Sequence, residues 1–113
     1  MSAGDWVREF PAEVLVCDPA GVVLEMNAEA ASLFAEDGGE ALLGTNLLGC
    51  HPEPERTKLE TMLEQHSTNA YFNTENGRKR LFFQSPWFSG GRFAGYVELS
   101  FDVPEDIPHF IRT

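Results

Sequence analysis

Basic residues are scarce in this chain: eight Lys and Arg stand against eighteen Asp and Glu, for a formal charge of −10. Such a surface repels phosphate backbones, which argues against nucleic acid as a partner. The one basic cluster, Arg78-Lys79-Arg80, reads as a solvated strand end, since no Gly-rich helix start accompanies it; it can still pair with an acidic patch on a partner. Cysteine is scarce too. Cys17 and Cys50 make no disulfide framework, and neither has a metal-type partner at close spacing, so no metal is implied. No apolar run approaches the length of a membrane span. The stretch Met1-Ser2-Ala3-Gly4-Asp5 lacks the basic start and apolar core of a signal peptide. A reduced, cytoplasmic location away from the membrane is the simplest expectation.

What is present is core. At 113 residues the chain is long enough for one domain and too short for two. Hydrophobic residues make up 42%, nine of them Phe, so a packed interior is expected rather than disorder. Three segments follow from the pattern: a lead-in over 1–11, a domain over 12–103 and a tail over 104–113. The lead-in has Trp6, Val7 and Phe10 at helical spacing before Pro11. The tail has two prolines and an amphipathic Ile107/Phe110/Ile111 set, and either leaves the domain or lies across it.

Within the domain, two β-branched-rich runs flank Asp18-Pro19-Ala20-Gly21, a turn in which Pro19 presets φ and Asp18 bonds the turn amides. The second run stops at Asn27, placed to cap a helix over Ala28–Ala35. Glu36-Asp37-Gly38-Gly39 breaks that helix, and short turns follow at Glu40–Leu43 and Gly44–Leu48. Gly49-Cys50-His51-Pro52-Glu53-Pro54 is a breaker-rich connection. From Glu55 to His66 the period is helical, with Leu59, Met62, Leu63 and His66 on one stripe. Three strands finish the domain, Asn69–Thr74, Arg78–Phe88 and Arg92–Val103, joined by Asn76-Gly77 and Gly90-Gly91 turns. Two strands, short helices, then three antiparallel strands make an α+β domain: a five-stranded antiparallel sheet with the helices on one face.

That order, with particular residues, resembles a PAS domain. Asp18-Pro19-Ala20-Gly21 is similar to the family's Asp-x-x-Gly turn, Asn27-Ala28-Glu29-Ala30 to its Asn-x-Ala helix start, and Leu43-Gly44 to its apolar-Gly step. Gly95-Tyr96-Val97 through Asp102-Val103 resembles its last strand. Within the family, Cys50-His51-Pro52 before the long helix and the Gly-Tyr-apolar-Glu strand resemble a bacterial subgroup. The resemblance covers about residues 10–103 and implies a sensory or protein-interaction module in bacterial signal transduction, with signalling proteins as partners. A light-sensing flavin adduct is set aside, because Gly44-Thr45-Asn46 is followed by Leu47 where that subgroup has its reactive Cys.

A small-molecule pocket is expected between the sheet and the short helices, which cannot seal it. Candidate wall residues are Phe34, Leu43, Leu47, His51, Met62, Leu63, Tyr71, Phe82 and Gln84, with the stretches from Phe82 to Trp87 and from Tyr96 to Ser100; the same residues can equally be read as plain core. In the last strand, Tyr96, Glu98 and Ser100 share one face, and Val97, Leu99 and Phe101 the other. If the polar set faces inward, Glu98 needs a partner such as Gln84 or a ligand donor. The apolar set then faces out and must be covered by the Trp6/Val7/Phe10 segment, the tail or a second subunit, which argues for a homodimer. Cys50 and His51 are read either as packing and bracing residues or as a chemical pair. The alternative to a cofactor-free module is a haem sensor ligated through His51 or His66. A small enzyme built on Glu98 is a third reading, but no nucleophile-base spacing, phosphate loop or two-histidine metal motif supports catalysis.

Overall fold

The Asp18–Gly21 turn forms as its residues dictate. Asp18 Oδ1 accepts from the amides of Ala20 at 2.9 Å and Val22 at 3.0 Å, and Gly21 takes a positive φ of 93°. In the computed structural model, which describes residues 4–113, this turn joins β1 (Glu13–Cys17) to β2 (Val23–Met26). Asn27 then caps α2 (Ala28–Leu33), its Oδ1 accepting from the Ala30 amide.

The helix ends earlier than Ala35. Phe34 leaves the helical region, and its carbonyl accepts from the amides of Asp37 and Gly39, which winds Ala35–Asp37 into a 3₁₀ turn; a second one spans Gly39–Leu42. Residues 44–47 run back along the hairpin: Gly44 N–H and the Thr45 carbonyl bond to Val23, and the Leu47 amide to the Gly21 carbonyl. That places α3 (Leu47–Cys50), capped by Asn46, against the turn. The helix α4 (Glu55–Gln65) follows. Of its expected stripe only Met62 is buried, with Leu59 and Leu63 half-buried. His66 is not on the helix: it stands past its end at φ 55°, its ring stacked on Phe93 with centroids 3.6 Å apart.

The strands β3 (Asn69–Glu75), β4 (Arg78–Ser89) and β5 (Arg92–Asp102) complete one antiparallel sheet in the order β2-β1-β5-β4-β3. The chain's first strand thus pairs with its last, closing the sheet across its middle. Directly opposed residues share a face. One face carries Glu13, Leu15 and Cys17 of β1 against Ser100, Glu98 and Tyr96 of β5, then Phe82 and Gln84 of β4 against Tyr71 and Asn69 of β3. The helices pack there, on a cluster of Cys17, Met62 and Tyr96 joined by Leu47, Leu63 and Phe93. Gly95 permits the tightest approach in the sheet, because a Cβ built on it would lie 1.8 Å from the Cys17 carbonyl oxygen.

Asn27 ties the lead-in to this frame. Its Nδ2 donates to the carbonyls of Ala12 at 2.7 Å and Val7 at 3.0 Å, and its Oδ1 also accepts from the Val14 amide. The short helix α1 (Asp5–Arg8) precedes these contacts; the first three residues of the expected 1–11 lead-in lie outside the described residues. Trp6 and Phe10 do not serve as the expected cover for the sheet: both are exposed, because the lead-in is held by backbone carbonyls rather than by its aromatic side chains. The tail from Pro104 has no regular structure, and Ile107, Phe110 and Ile111 are exposed. Among the described residues, no helix is long and apolar enough to cross a membrane.

Candidate functional site

A cavity of about 380 Å³ lies between the helical side of the sheet and the segment 34–62. Its apolar wall includes Leu15, Phe34, Leu42, Leu47, Leu59, Met62, Tyr71, Phe82 and Tyr96, and its polar groups are Asp37, Cys50, His51, Gln84 and Glu98. Nine of the ten site candidates thus line one space: Phe34, Leu47, His51, Met62, Tyr71, Phe82, Gln84, Tyr96 and Glu98. Ser100 does not, because it is fully buried one step further along β5, where its hydroxyl donates to Glu13 Oε1 at 2.6 Å. Leu43 and Leu63 also fall outside the wall; Leu43 is exposed, and Leu63 backs the neighbouring core.

The local chain explains each position. Tyr71 and Phe82 are opposed across β3 and β4, so their rings stack with centroids 5.1 Å apart. The next inward pair on β4 and β5 is Gln84 and Glu98, and Gln84 Nε2 donates to Glu98 Oε2 at 2.6 Å. Gln84 Oε1 in turn accepts from Asn69 Nδ2 at 3.0 Å. The Tyr96 hydroxyl lies 2.6 Å from the Met62 carbonyl and 2.7 Å from that of Ser67, fastening the end of α4 to the sheet. Burial pushes the Tyr96 and Tyr71 hydroxyls above the usual tyrosine range. His51 ends α3 and holds the Leu47 carbonyl through Nδ1 at 2.6 Å. Cys50 is exposed, although it borders the cavity.

Sequence reasoning missed Glu13. It is 0% exposed, and Arg80 Nε donates to Ser100 Oγ, which donates to Glu13 Oε1. Its other oxygen, Oε2, has no hydrogen-bond partner among fixed donors of the described residues. Burial, and next the charge of Glu98, push this carboxyl from 4.5 up to about 9, against the hydrogen bond from Ser100 and the charge of Arg80. Burial therefore favours the neutral acid at Glu13, and a proton on Oε2 would make the orphan oxygen a donor toward Glu98. The signal was available: Glu13 alternates with Leu15 and Cys17, so a sheet that buries those two buries Glu13 as well.

A second, more open hollow of about 630 Å³ shares Asp37 and Phe82 with the first and continues past Glu29, Glu36, Asn73 and Arg80. Its Arg80 is engaged by Asp102 as well as by Ser100, and Arg78 also pairs with Asp102. The outer sheet face, opposite the cavity, carries Phe72, Leu81, Phe83, Leu99 and Phe101, of which Phe72, Phe83 and Phe101 are each more than a third exposed. Among the described residues, no group of His, Cys, Asp and Glu is arranged to hold a metal ion.

No family model matches the chain, and no curated protein does either. Solved structures do. A C-terminal domain from Streptococcus mutans superposes with a TM-score of 0.71 at 16% identity, over 90% of each chain. The PAS domain of BvgS from Bordetella pertussis gives 0.66 at 20% identity, over 88% of this chain and 82% of that one. A sensory box sensor histidine kinase from Vibrio cholerae gives 0.62 at 16% identity, over 90% and 89%. These likenesses establish the fold, a PAS-like α+β domain.

Proposed function

We propose that this chain is a PAS sensory module that binds a small molecule in the 380 Å³ cavity and works as a homodimer through its outer sheet face. The observation that carries the reading is the cavity itself. Its volume falls within the ~300–1,000 Å³ range of small-molecule sites, and its wall is apolar apart from a few convergent polar groups. A carboxylate, Glu98, on the wall of such a space supports a role facing a ligand rather than one in plain core. The role is binding and relay, without catalysis, and the setting is bacterial and cytoplasmic. Occupancy shifts the population between two dimer arrangements in proportion to the ligand's differential affinity for them. The functional unit is residues 12–103, flanked by the lead-in and the tail, and the likeness of Cys50-His51-Pro52 to a bacterial PAS subgroup supports a signalling protein as its output partner.

The dimer reading rests on the row Phe72, Phe83 and Phe101, a contiguous apolar surface of the kind that marks interaction sites. The haem alternative fits the residues poorly. The cavity wall has no Lys or Arg to meet haem propionates and carries Glu98 and Asp37 instead, while His66 is stacked on Phe93 away from it.

Native mass spectrometry of the purified protein tests both parts together. The expected spectrum is a dimer carrying a small-molecule adduct, with Phe83→Arg giving the monomer and keeping the adduct. A monomer with no adduct, after purification from cells grown in rich medium, overturns the reading.

A further inference from the structure

Three polar groups around the cavity, Glu98, His51 and Asp37, offer acceptors. Glu98 presents a carboxylate whose one fixed side-chain donor is Gln84 Nε2. His51 Nδ1 faces a carbonyl oxygen, which can only accept, so Nδ1 carries the ring proton and Nε2 of the neutral imidazole is an acceptor. Asp37 adds a second carboxylate. Two nearby donors are engaged elsewhere, the Tyr96 hydroxyl with the Met62 and Ser67 carbonyls and Arg80 with Ser100 and Asp102, which leaves Gln84 Nε2 and the Tyr71 hydroxyl as the donors of the wall. The wall has no Lys or Arg.

Behind this wall sits Glu13, fully buried, with an oxygen that no fixed donor meets. When protonated Glu13 donates a hydrogen bond to Glu98, the two carboxyls hold one negative charge between them, and Glu98 is the one that borders the cavity. An isolated anion at the edge of an apolar space is costly unless a positive or donor group joins it. Gln84 supplies one donor, but no side chain lining the cavity supplies a positive charge.

Resting on the cavity reading above, we infer that the ligand is a small organic cation, a protonated amine or amidine on a compact apolar body, seated with its charge on Glu98 and its body against Tyr71 and Phe82. The stacked pair of rings suits such a body, since aromatic faces attract a cation as well as covering apolar surface. Anionic ligands are rejected by Glu98 and Asp37. Neutral apolar ligands fill the space but leave Glu98 without its counter-charge.

Amide NMR titrations with phenethylamine, 2-phenylethanol and phenylacetate test this, because the three share a body and differ in charge. Phenethylamine is expected to shift the amides around Tyr71, Phe82, Gln84 and Glu98 and to bind at least tenfold more tightly than 2-phenylethanol, while phenylacetate leaves the spectrum unchanged. Glu98→Gln is expected to remove that tenfold preference and retain 2-phenylethanol binding. Asp37→Asn, at an exposed position that leaves the fold intact, is expected to weaken the amine by a smaller factor. If phenylacetate binds as well as the amine, or if neither variant changes the preference, the cation assignment is overturned while the cavity reading stands. If none of the three binds, both are overturned.

Discussion

Replacing Glu13 by Gln removes one proton-binding group and little else. The amide has the shape of the protonated acid, can still accept from Ser100 Oγ, and offers N–H donors where the acid offers one O–H toward Glu98. The wild-type carboxyl is raised from 4.5 to about 9 in the folded protein. Above pH 4.5 the unfolded chain releases this proton and the folded one keeps it, so unfolding is favoured as pH rises. The group's contribution is fully present below pH 4.5, declines by about 1.4 kcal/mol per pH unit, and is exhausted near pH 9, where the folded carboxyl ionises too. From pH 5 to pH 8 the ideal loss is about 4 kcal/mol, and relaxation around Glu98 and Arg80 brings the expected figure to about 2–4 kcal/mol. That is a large share of the ~5–15 kcal/mol that holds a small domain folded. Urea unfolding of both proteins at four pH values checks this, since the titrations of groups remote from Glu13 cancel in the difference between them. The variant should gain on the wild type steadily as pH rises. Parallel stability-pH curves would refute the buried neutral acid, and so would a variant that loses ground at high pH.

Two further substitutions probe the frame. Asn27→Asp keeps the α2 cap but replaces the Nδ2 donor by an oxygen that faces the Ala12 and Val7 carbonyls; about 3 kcal/mol should be lost, with faster hydrogen exchange at Val14, measured by urea unfolding and amide exchange. Gly95→Ala places a methyl group 1.8 Å from the Cys17 carbonyl at a φ of 133°, so circular dichroism should show a chain that unfolds at least 10 °C lower or does not fold.

Local chemistry was legible before the structure, and long-range chemistry less so. Asn27 could be read as a cap because its partner Ala30 is three residues away, yet its bonds to Val7, Ala12 and Val14 span 13 to 20 residues and follow only from the sheet. Glu98 could be placed beside Gln84 by strand alternation alone. Glu13 could not be placed beside Glu98, because that requires knowing that the first strand pairs with the last. Helical period put His66 on the stripe of α4, but the turn into β3 begins there, and the left-handed backbone at His66 carries the ring to Phe93 instead. The early end of α2 was hidden for a related reason: one carbonyl, Phe34's, takes two amides, and composition does not report such a choice.

The Tyr96 hydroxyl gives α4 a fixed end. It grips the helix at Met62 and the chain just beyond at Ser67, where His66 adds its stack on Phe93, while the opposite end of the helix follows the exposed Pro52–Pro54 approach from α3. A rod fastened at one end behaves as a door with its hinge on the sheet. A swing of the helix about that end would move Leu59 out of the cavity wall and break none of the ladder bonds that join the five strands. Under the proposed binding role, a guest that presses on Leu59 and Met62 would be felt first in the angle of that helix.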